Sequence, residues 1–241
     1  MNELLVVDLG TLPYAAALEL QRDVARRRIT GDIDEDVLLL VEHPPVVTLG
    51  RTAKAANLIA SPAFLAAQGV ELFEVERGGD VTFHGPGQLV GYPIIDLKRH
   101  RKDLHWYLRQ VEQSLIDAIA QFGIVGERVD KYTGVWVGGT RGRKIASIGV
   151  HARDWVTWHG FALNVNTDLR YFDLIVPCGI TDVAMTSVAR ELMTGSVEIH
   201  KVSDAVSVTF AATFGLVARR LDRADLLTGS ALREAPETRI G

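Results

Sequence analysis

The chain has 241 residues, 47% of them hydrophobic and 23% charged, with 26 Lys and Arg against 30 Asp and Glu for a net charge of −4. Such a chain is expected to form one domain with a substantial core, residues 1–222, followed by a loose polar tail over 223–241. Its mild acidity argues against a nucleic-acid partner, and no apolar window approaches the roughly 20 residues of a membrane span.

Met1–Asp8 lacks a positive n-region and a long apolar stretch, so it reads as a strand instead of a leader. The expected location is the cytoplasm, where a lone thiol stays reduced. Leu4–Leu9 predicts a strand. Pro13 opens a helical pattern to about Arg28, with Ala17, Leu18 and Val24 inward and Gln21, Arg22, Arg26 and Arg27 toward solvent. Val37–Glu42 is a buried-strand run stopped by His43-Pro44-Pro45, and Val46–Leu49 resumes extended structure. Ser61-Pro62 starts a short helix that Gly69 ends. Val70–Arg77 alternates as a half-buried strand does, a glycine-rich segment follows over Arg77–Leu89, and Val90–Leu97 reads as a strand.

Asp103 can cap a helix whose apolar stripe is Leu104, Leu108, Val111, Leu115 and Ile119, with Gly123 where a C-cap belongs. Gly134–Val137, Lys144–Val150 and Trp155–Leu163 predict antiparallel hairpins, the first turning at Gly138-Gly139. Ser203 is placed to cap a last helix stopping near Gly215, and residues 216–222 suit a strand. Strands in runs as well as alternating with helices predict an α/β (α+β) fold with a mostly antiparallel sheet flanked by helices.

Four features carry candidate chemistry. Cys178 is the only cysteine, too few for a disulfide or a thiolate metal cage, which leaves an inert buried residue or a nucleophile. Arg77–Leu89 holds Gly78, Gly79, Gly85 and Gly87 at spacings that match neither a P-loop nor a dinucleotide fingerprint; it reads as a tight structural loop or a substrate-lining one. Lys144 opens an apolar strand, either as a solvated end or as a cleft amine that moves protons and favours a nearby thiolate. His159 and Asn164 allow a protease-like Cys/His/Asn set with Cys178, although the local signatures of such proteases are missing.

Five segments together closely resemble the lipoyl(octanoyl) transferase, or octanoyltransferase, family. They are Glu42-His43-Pro44-Pro45 with Thr48-Leu49-Gly50-Arg51; Arg77-Gly78-Gly79 through His84-Gly85-Pro86-Gly87-Gln88; Lys144–Gly149; His159–Asn166; and Pro177-Cys178-Gly179. Their order and spacing agree over roughly residues 4–220. The resemblance implies the fold of the biotin/lipoate protein ligase catalytic domain. It implies transfer of an octanoyl group from octanoyl-acyl carrier protein to a specific lysine of lipoyl domains, those of the 2-oxoacid dehydrogenases and of the glycine cleavage H protein. It maps the acyl-thioester nucleophile onto Cys178 and its partner onto Lys144. It places the substrate-binding surface on Arg77, Gly78, Gly79, Asp80, Val81, Thr82, Phe83 and His84, on Ser147, Ile148 and Gly149, and on Gly160, Phe161 and Ala162. It implies no metal and no ATP, the acyl group arriving on phosphopantetheine, and a monomer is expected.

Within this frame, the basic run Lys98–Lys102 is either a solvated loop or a docking patch for an acidic carrier protein. The rival readings are an ATP-dependent lipoate or biotin ligase, a non-catalytic lipoyl-domain binding protein, and a cysteine hydrolase. For the first, Gly139–Lys144 faintly resembles a ligase nucleotide loop.

Overall fold

A computed structural model describes residues 2–139, 142–179 and 183–228, apart from the side chain of Cys178. Its frame is a nine-stranded sheet. Along the chain come β1 (Glu3–Thr11), helix α1 (Tyr14–Thr30), β2 (Asp36–Glu42), β3 (Val46–Leu49), α2 (Pro62–Ala67), β4 (Glu71–Glu74), β5 (Val81–His84) and β6 (Gln88–Ile94). They are followed by α3 (Leu104–Ala120), β7 (Gly126–Val129), β8 (Tyr132–Val137), β9 (Arg143–Arg153) and β10 (Val156–Asn164). The remaining described elements are β11 (Ala184–Met185), α4 (Val188–Glu191), α5 (Ile199–Thr213), β12 (Val217–Arg220) and α6 (Arg223–Thr228).

The main sheet runs β12-β1-β2-β6-β10-β9-β8-β7, with β11 paired to β9, and β4-β3-β5 form a separate small sheet. From β2 through β7 the neighbours are antiparallel, as the hairpin pattern predicts. β1 instead runs parallel to both β2 and β12. The reason is connectivity: α1 lies between β1 and β2, and a helical crossover returns the chain in the same direction.

Strand periodicity sorts the core into two layers. Leu4, Val6, Leu38 and Leu40 face α3 and α5, whereas Leu5, Val7, Val37 and Leu39 pack with Ala17, Leu20 and Val24 of α1. Helix starts follow local chemistry in three cases: Ser61 Oγ accepts from Phe64 N at 3.2 Å, an Asp103 carboxylate oxygen from Trp106 N at 3.0 Å, and Ser187 Oγ from Arg190 N at 3.2 Å.

Several expectations change. α5 begins at Ile199, so Ser203 is a buried residue inside it and not its cap. Gln21, expected toward solvent, is fully buried because α1 packs on β10, where its side-chain carbonyl accepts from His159 N at 3.0 Å. Only Glu71–Glu74 of the stretch 70–77 pairs as a strand. The loose tail does not begin at 223, since α6 occupies Arg223–Thr228 and buries Leu226; residues 229–241 lie outside the described residues. Among the described residues no helix is long and apolar enough to cross a membrane.

Four of the five residues in the basic run 98–102 are paired with nearby carboxylates. Lys98 pairs with Asp96, Arg99 with Asp34, His100 with Asp36 and Arg101 with Asp103. Two of these carboxylates, Asp36 and Asp96, belong to an ion cluster around Arg28, whose guanidinium is 3.1 Å from Asp36 and 3.8 Å from Asp96 with side chains almost fully buried. Removing the arginine strands two buried carboxylates. Arg28→Met is therefore expected to lower the unfolding free energy by about 3 kcal/mol, read as a fall in the urea midpoint; an unchanged midpoint would show the cluster to be energetically neutral.

Candidate active site

The site lies where β9 meets the small sheet. The loop 77–80 is sewn between two segments: Arg51 N donates to Arg77 O at 3.0 Å, Thr52 N to Gly79 O at 3.2 Å, and Gly78 N to Val150 O at 2.8 Å. These contacts explain the local glycines. A Cβ on Gly50 would come within 2.3 Å of Gly79 O, and one on Gly149 within 2.8 Å of Gly78 O. Arg77 braces the loop from below, donating from Nη2 to Thr48 O at 2.7 Å and from Nη1 to Gly78 O at 3.0 Å.

Two cavities adjoin here. The first is a narrow slot lined by Arg77, Gly79, Asp80, Thr82 and His84, by Ser147, Ile148 and Gly149 of β9, and by Gly160, Phe161 and Ala162 of β10. Eleven of the fourteen residues that the family resemblance maps to substrate binding thus line one space. Gly78 lines the second cavity instead. Val81 and Phe83 line neither of these two: alternation on β5 turns them into the core with Leu65, Phe172 and Ile175.

Sequence reasoning missed Tyr14, Val90 and Tyr92 in the slot lining. The slot's polar wall is an aromatic cluster: the Tyr14 and His84 rings stack at 6.0 Å, and His43 meets Tyr14 at 5.4 Å. His43 Nδ1–H donates to Leu12 O at 2.7 Å, leaving Nε2 to accept from Tyr92 OH at 2.7 Å. His84 Nδ1–H donates to Gln88 Oε1 at 2.8 Å. Burial lowers the His43 pKa to about 4 and the His84 pKa to about 3, and raises that of Tyr14 to about 12. Burial thus disfavours charge on all three rings, and the Gln88 contact holds the His84 ring in place.

The second cavity is a cleft lined by Lys144, Ile148, Gly149, Gly78, Gly79, Asp80 and Gly179, with Leu104 and Leu108 of α3 opposite. The two leucines head the predicted apolar stripe but face this cleft; Leu104 is exposed. Lys144 is 1% exposed, with Nζ 5.3 Å from the centroid of the Trp136 ring. Gly134 makes room for it: at φ +137°, a Cβ there would lie 2.7 Å from Lys144 Cε. Gly134 N in turn donates to Glu112 Oε1 at 3.1 Å, and Glu112 is held by Arg109 and Arg128 at 2.7 and 3.0 Å.

Cys178 lies in a short 3-10 turn, Pro177–Gly179, tied to residues 57–60 through Val176 N to Asn57 O at 2.8 Å and Ala60 N to Leu174 O at 3.0 Å. Its side chain lies outside the described residues, as do Thr140 and Arg141 of the ligase-like segment. Gly179, the next residue, reaches the cleft of Lys144. The Cys/His/Asn alternative is not assembled. Asn164 is committed to Gln88 Nε2 at 2.9 Å and Thr186 O at 3.0 Å, while His159 lines the slot 3.7 Å from Glu76.

The buried histidines make folding sensitive to acid. Their pKa values sit below the ordinary 6.5, so the unfolded chain binds more protons and stability is lost as pH falls from about 6.5 toward 4 and 3. A falling urea midpoint between pH 6.5 and 5 is expected, with a shallower fall in His43→Gln; an identical slope in that variant would contradict the assignment.

The profile of the lipoyl protein ligase A/B catalytic domain matches residues 13–211. The chain is 49% identical over 216 residues to an octanoyltransferase of Gloeobacter violaceus, covering 90% of this chain and 92% of that one. It is 55% identical over 185 residues to an octanoyltransferase of Rubrobacter xylanophilus, covering 76% and 81%. Against an octanoyltransferase of Myxococcus xanthus it is 49% identical over 217 residues, 89% of this chain, and spans 60% of the relative's length. Among solved structures it is similar in fold to the bipartite lipoate protein ligase of Thermoplasma acidophilum, with a TM-score of 0.72 at 17% identity over 97% and 92% of the two chains. It is also similar to a lipoate-protein ligase A bound with ATP, at 0.71 and 17% over 97% and 93%. The chain belongs to the lipoyl protein ligase A/B catalytic-domain family and, within it, to the octanoyltransferases, which are acyltransferases.

Proposed function

We propose that this chain moves an octanoyl group from octanoyl-acyl carrier protein to a lysine of a lipoyl domain through a thioester on Cys178. The observation that carries the reading is the pair of adjoining cavities. An apolar slot and a cleft holding the buried Lys144 share Gly79, Asp80, Ile148 and Gly149, and Gly179 lies in the cleft wall. An acyl chain in the slot puts its carbonyl at that shared wall, beside the cysteine-bearing turn.

The chemistry is balanced without ATP. Thiolate attack on the donor thioester exchanges one thioester for another, a nearly even step. Attack by lysine then makes an amide and runs downhill. A free thiol has a pKa of about 8.5, so only a few per cent is thiolate at neutral pH. Lys144 raises that fraction by its charge or by accepting the proton. It then protonates the departing pantetheine thiolate and later takes a proton from the incoming lysine, acting as base, acid and base. Backbone N–H groups of the glycine-containing segments around Gly149 and Cys178 are the candidate oxyanion donors. Burying about seven methylene-sized groups at about 0.8 kcal/mol each contributes roughly 5 kcal/mol before ordering costs, enough to discriminate chain length. Acceptors on this reading are the lipoyl domains of 2-oxoacid dehydrogenases and the glycine cleavage H protein, and the catalyst is a monomer.

The reading is tested by octanoyl transfer to a lipoyl domain without ATP. Wild type is expected to transfer and Cys178→Ser to be silent; transfer by Cys178→Ser that depends on ATP would establish a ligase instead. In single-turnover acylation, Lys144→Ala is expected to be slower by about 10²–10⁴-fold, and a normal rate would remove the lysine from the mechanism.

Gly134 offers a separate check on the lysine's placement. Gly134→Ala pushes a methyl against Ala146 O (2.6 Å) and Lys144 Cε (2.7 Å) of β9, whereas Gly139, also at positive φ (+77°), has nothing within 4 Å of an added Cβ. Both alanines carry backbone strain of about 1–3 kcal/mol. Only Gly134→Ala is expected to lower kcat, by about tenfold or more, and to add little to the loss in Lys144→Ala; equal effects at 134 and 139, or full additivity with Lys144→Ala, would mean that the methyl acts through the backbone and not through the lysine.

A further inference from the structure

Asp80 is the sole carboxylate among the described residues lining the Lys144 cleft, against Lys54, Lys131 and Lys144. It also lines the acyl slot, so it stands at the junction of the two cavities. Its carboxylate is rigidly held. Oδ1 accepts from Val81 N at 2.7 Å and Lys54 N at 3.3 Å, and Oδ2 accepts from the Asn57 amide at 2.5 Å. Three bonds leave acceptor capacity on a group with about four lone-pair positions. An added Cβ on Gly179 would lie 2.8 Å from Asp80 Oδ2, so the carboxylate abuts the residue that follows Cys178.

Anchoring the loop needs an acceptor but no net charge, and all three donors that hold Asp80 are neutral amides. A fixed negative charge at this junction suits a cationic group brought to the same point. Of the two macromolecular substrates, only the acceptor presents one, the ammonium of its target lysine.

We infer that Asp80 receives the ammonium of the acceptor lysine and aims it at the Cys178 thioester. The inference rests on the octanoyl-transfer reading above. Held by a charge-assisted bond, the ammonium gives one proton to Lys144. The freed amine attacks the acyl carbon, the C–N bond forms, and the C–S bond to Cys178 breaks. Of the three protons on the original ammonium, one is on Lys144, one stays on the amide nitrogen and one leaves to solvent. The cysteine departs as thiolate beside the protonated lysine.

The test separates the two half-reactions. Acyl-enzyme is formed from octanoyl-acyl carrier protein, then discharged either by a lipoyl domain or by hydroxylamine, an amine uncharged at neutral pH. For Asp80→Asn, discharge by the lipoyl domain is expected to slow at least about tenfold with a raised KM for that acceptor. Discharge by hydroxylamine is expected to change less than about twofold, and Asp80→Glu to restore part of the loss. Equal slowing with both nucleophiles would overturn the inference, because Asp80 would then act by holding the cysteine turn. An unaltered rate with the lipoyl domain would overturn it as well. If wild type forms no acyl-enzyme, the transfer reading itself fails and this inference falls with it.

Discussion

The candidate site depends on a long amine-bearing side chain held out of water. Lys144 is 1% exposed, on a strand whose next residues, Ile145 and Ala146, are core. Burying an ammonium is costly unless the surroundings compensate, and here they are shaped around it. The Trp136 ring lies 5.3 Å from Nζ, and Gly134 has no side chain where Cε passes. The hairpin carrying Gly134 is fixed in turn by Glu112, itself fully buried and held by two arginines. Helix α3 thus sets the position of an amine on β9 through one backbone N–H. The chain gives up a side chain at 134 to seat a charge at 144.

Around that amine the two cavities divide the work by polarity. The slot has apolar walls in Val90, Phe161 and Ala162 and a wall of buried rings, Tyr14, His84 and Tyr92, on which burial disfavours charge, with Arg77 and Asp80 at its lining as well. The cleft is charged, with Asp80 opposing three lysines. The two cavities share Gly79, Asp80, Ile148 and Gly149, so a slot and a cleft of different character meet in one wall. In the basic run at 98–102, four residues are paired internally with Asp34, Asp36, Asp96 and Asp103, while Lys98, Arg99 and Arg101 keep exposed side chains.

Much of this architecture is legible in the residues. Short apolar runs bounded by Pro and Gly breaks point to β2, β3, β9 and β10, and caps at Ser61 and Asp103 to two helix starts, because these signals are local. The parallel placement of β12 beside β1 has no local signature, nor has the burial of Gln21, which depends on β10 packing across α1. Within the site, the order of five motifs located most slot residues. Period-two alternation on β5 would have separated Thr82 and His84 from Val81 and Phe83, which the motif grouped together. Asn57 and Gly134 were silent, since each acts through a contact across the fold: Asn57 with Asp80, and Gly134 with Lys144.

The most direct measurement is the intact mass of the protein after brief exposure to octanoyl-acyl carrier protein, on wild type and on Cys178→Ala. The account requires a single added octanoyl group on wild type, removable by hydroxylamine and absent from the alanine variant. An adduct that survives in Cys178→Ala, or a wild-type mass that never changes while octanoyl transfer proceeds, would contradict it.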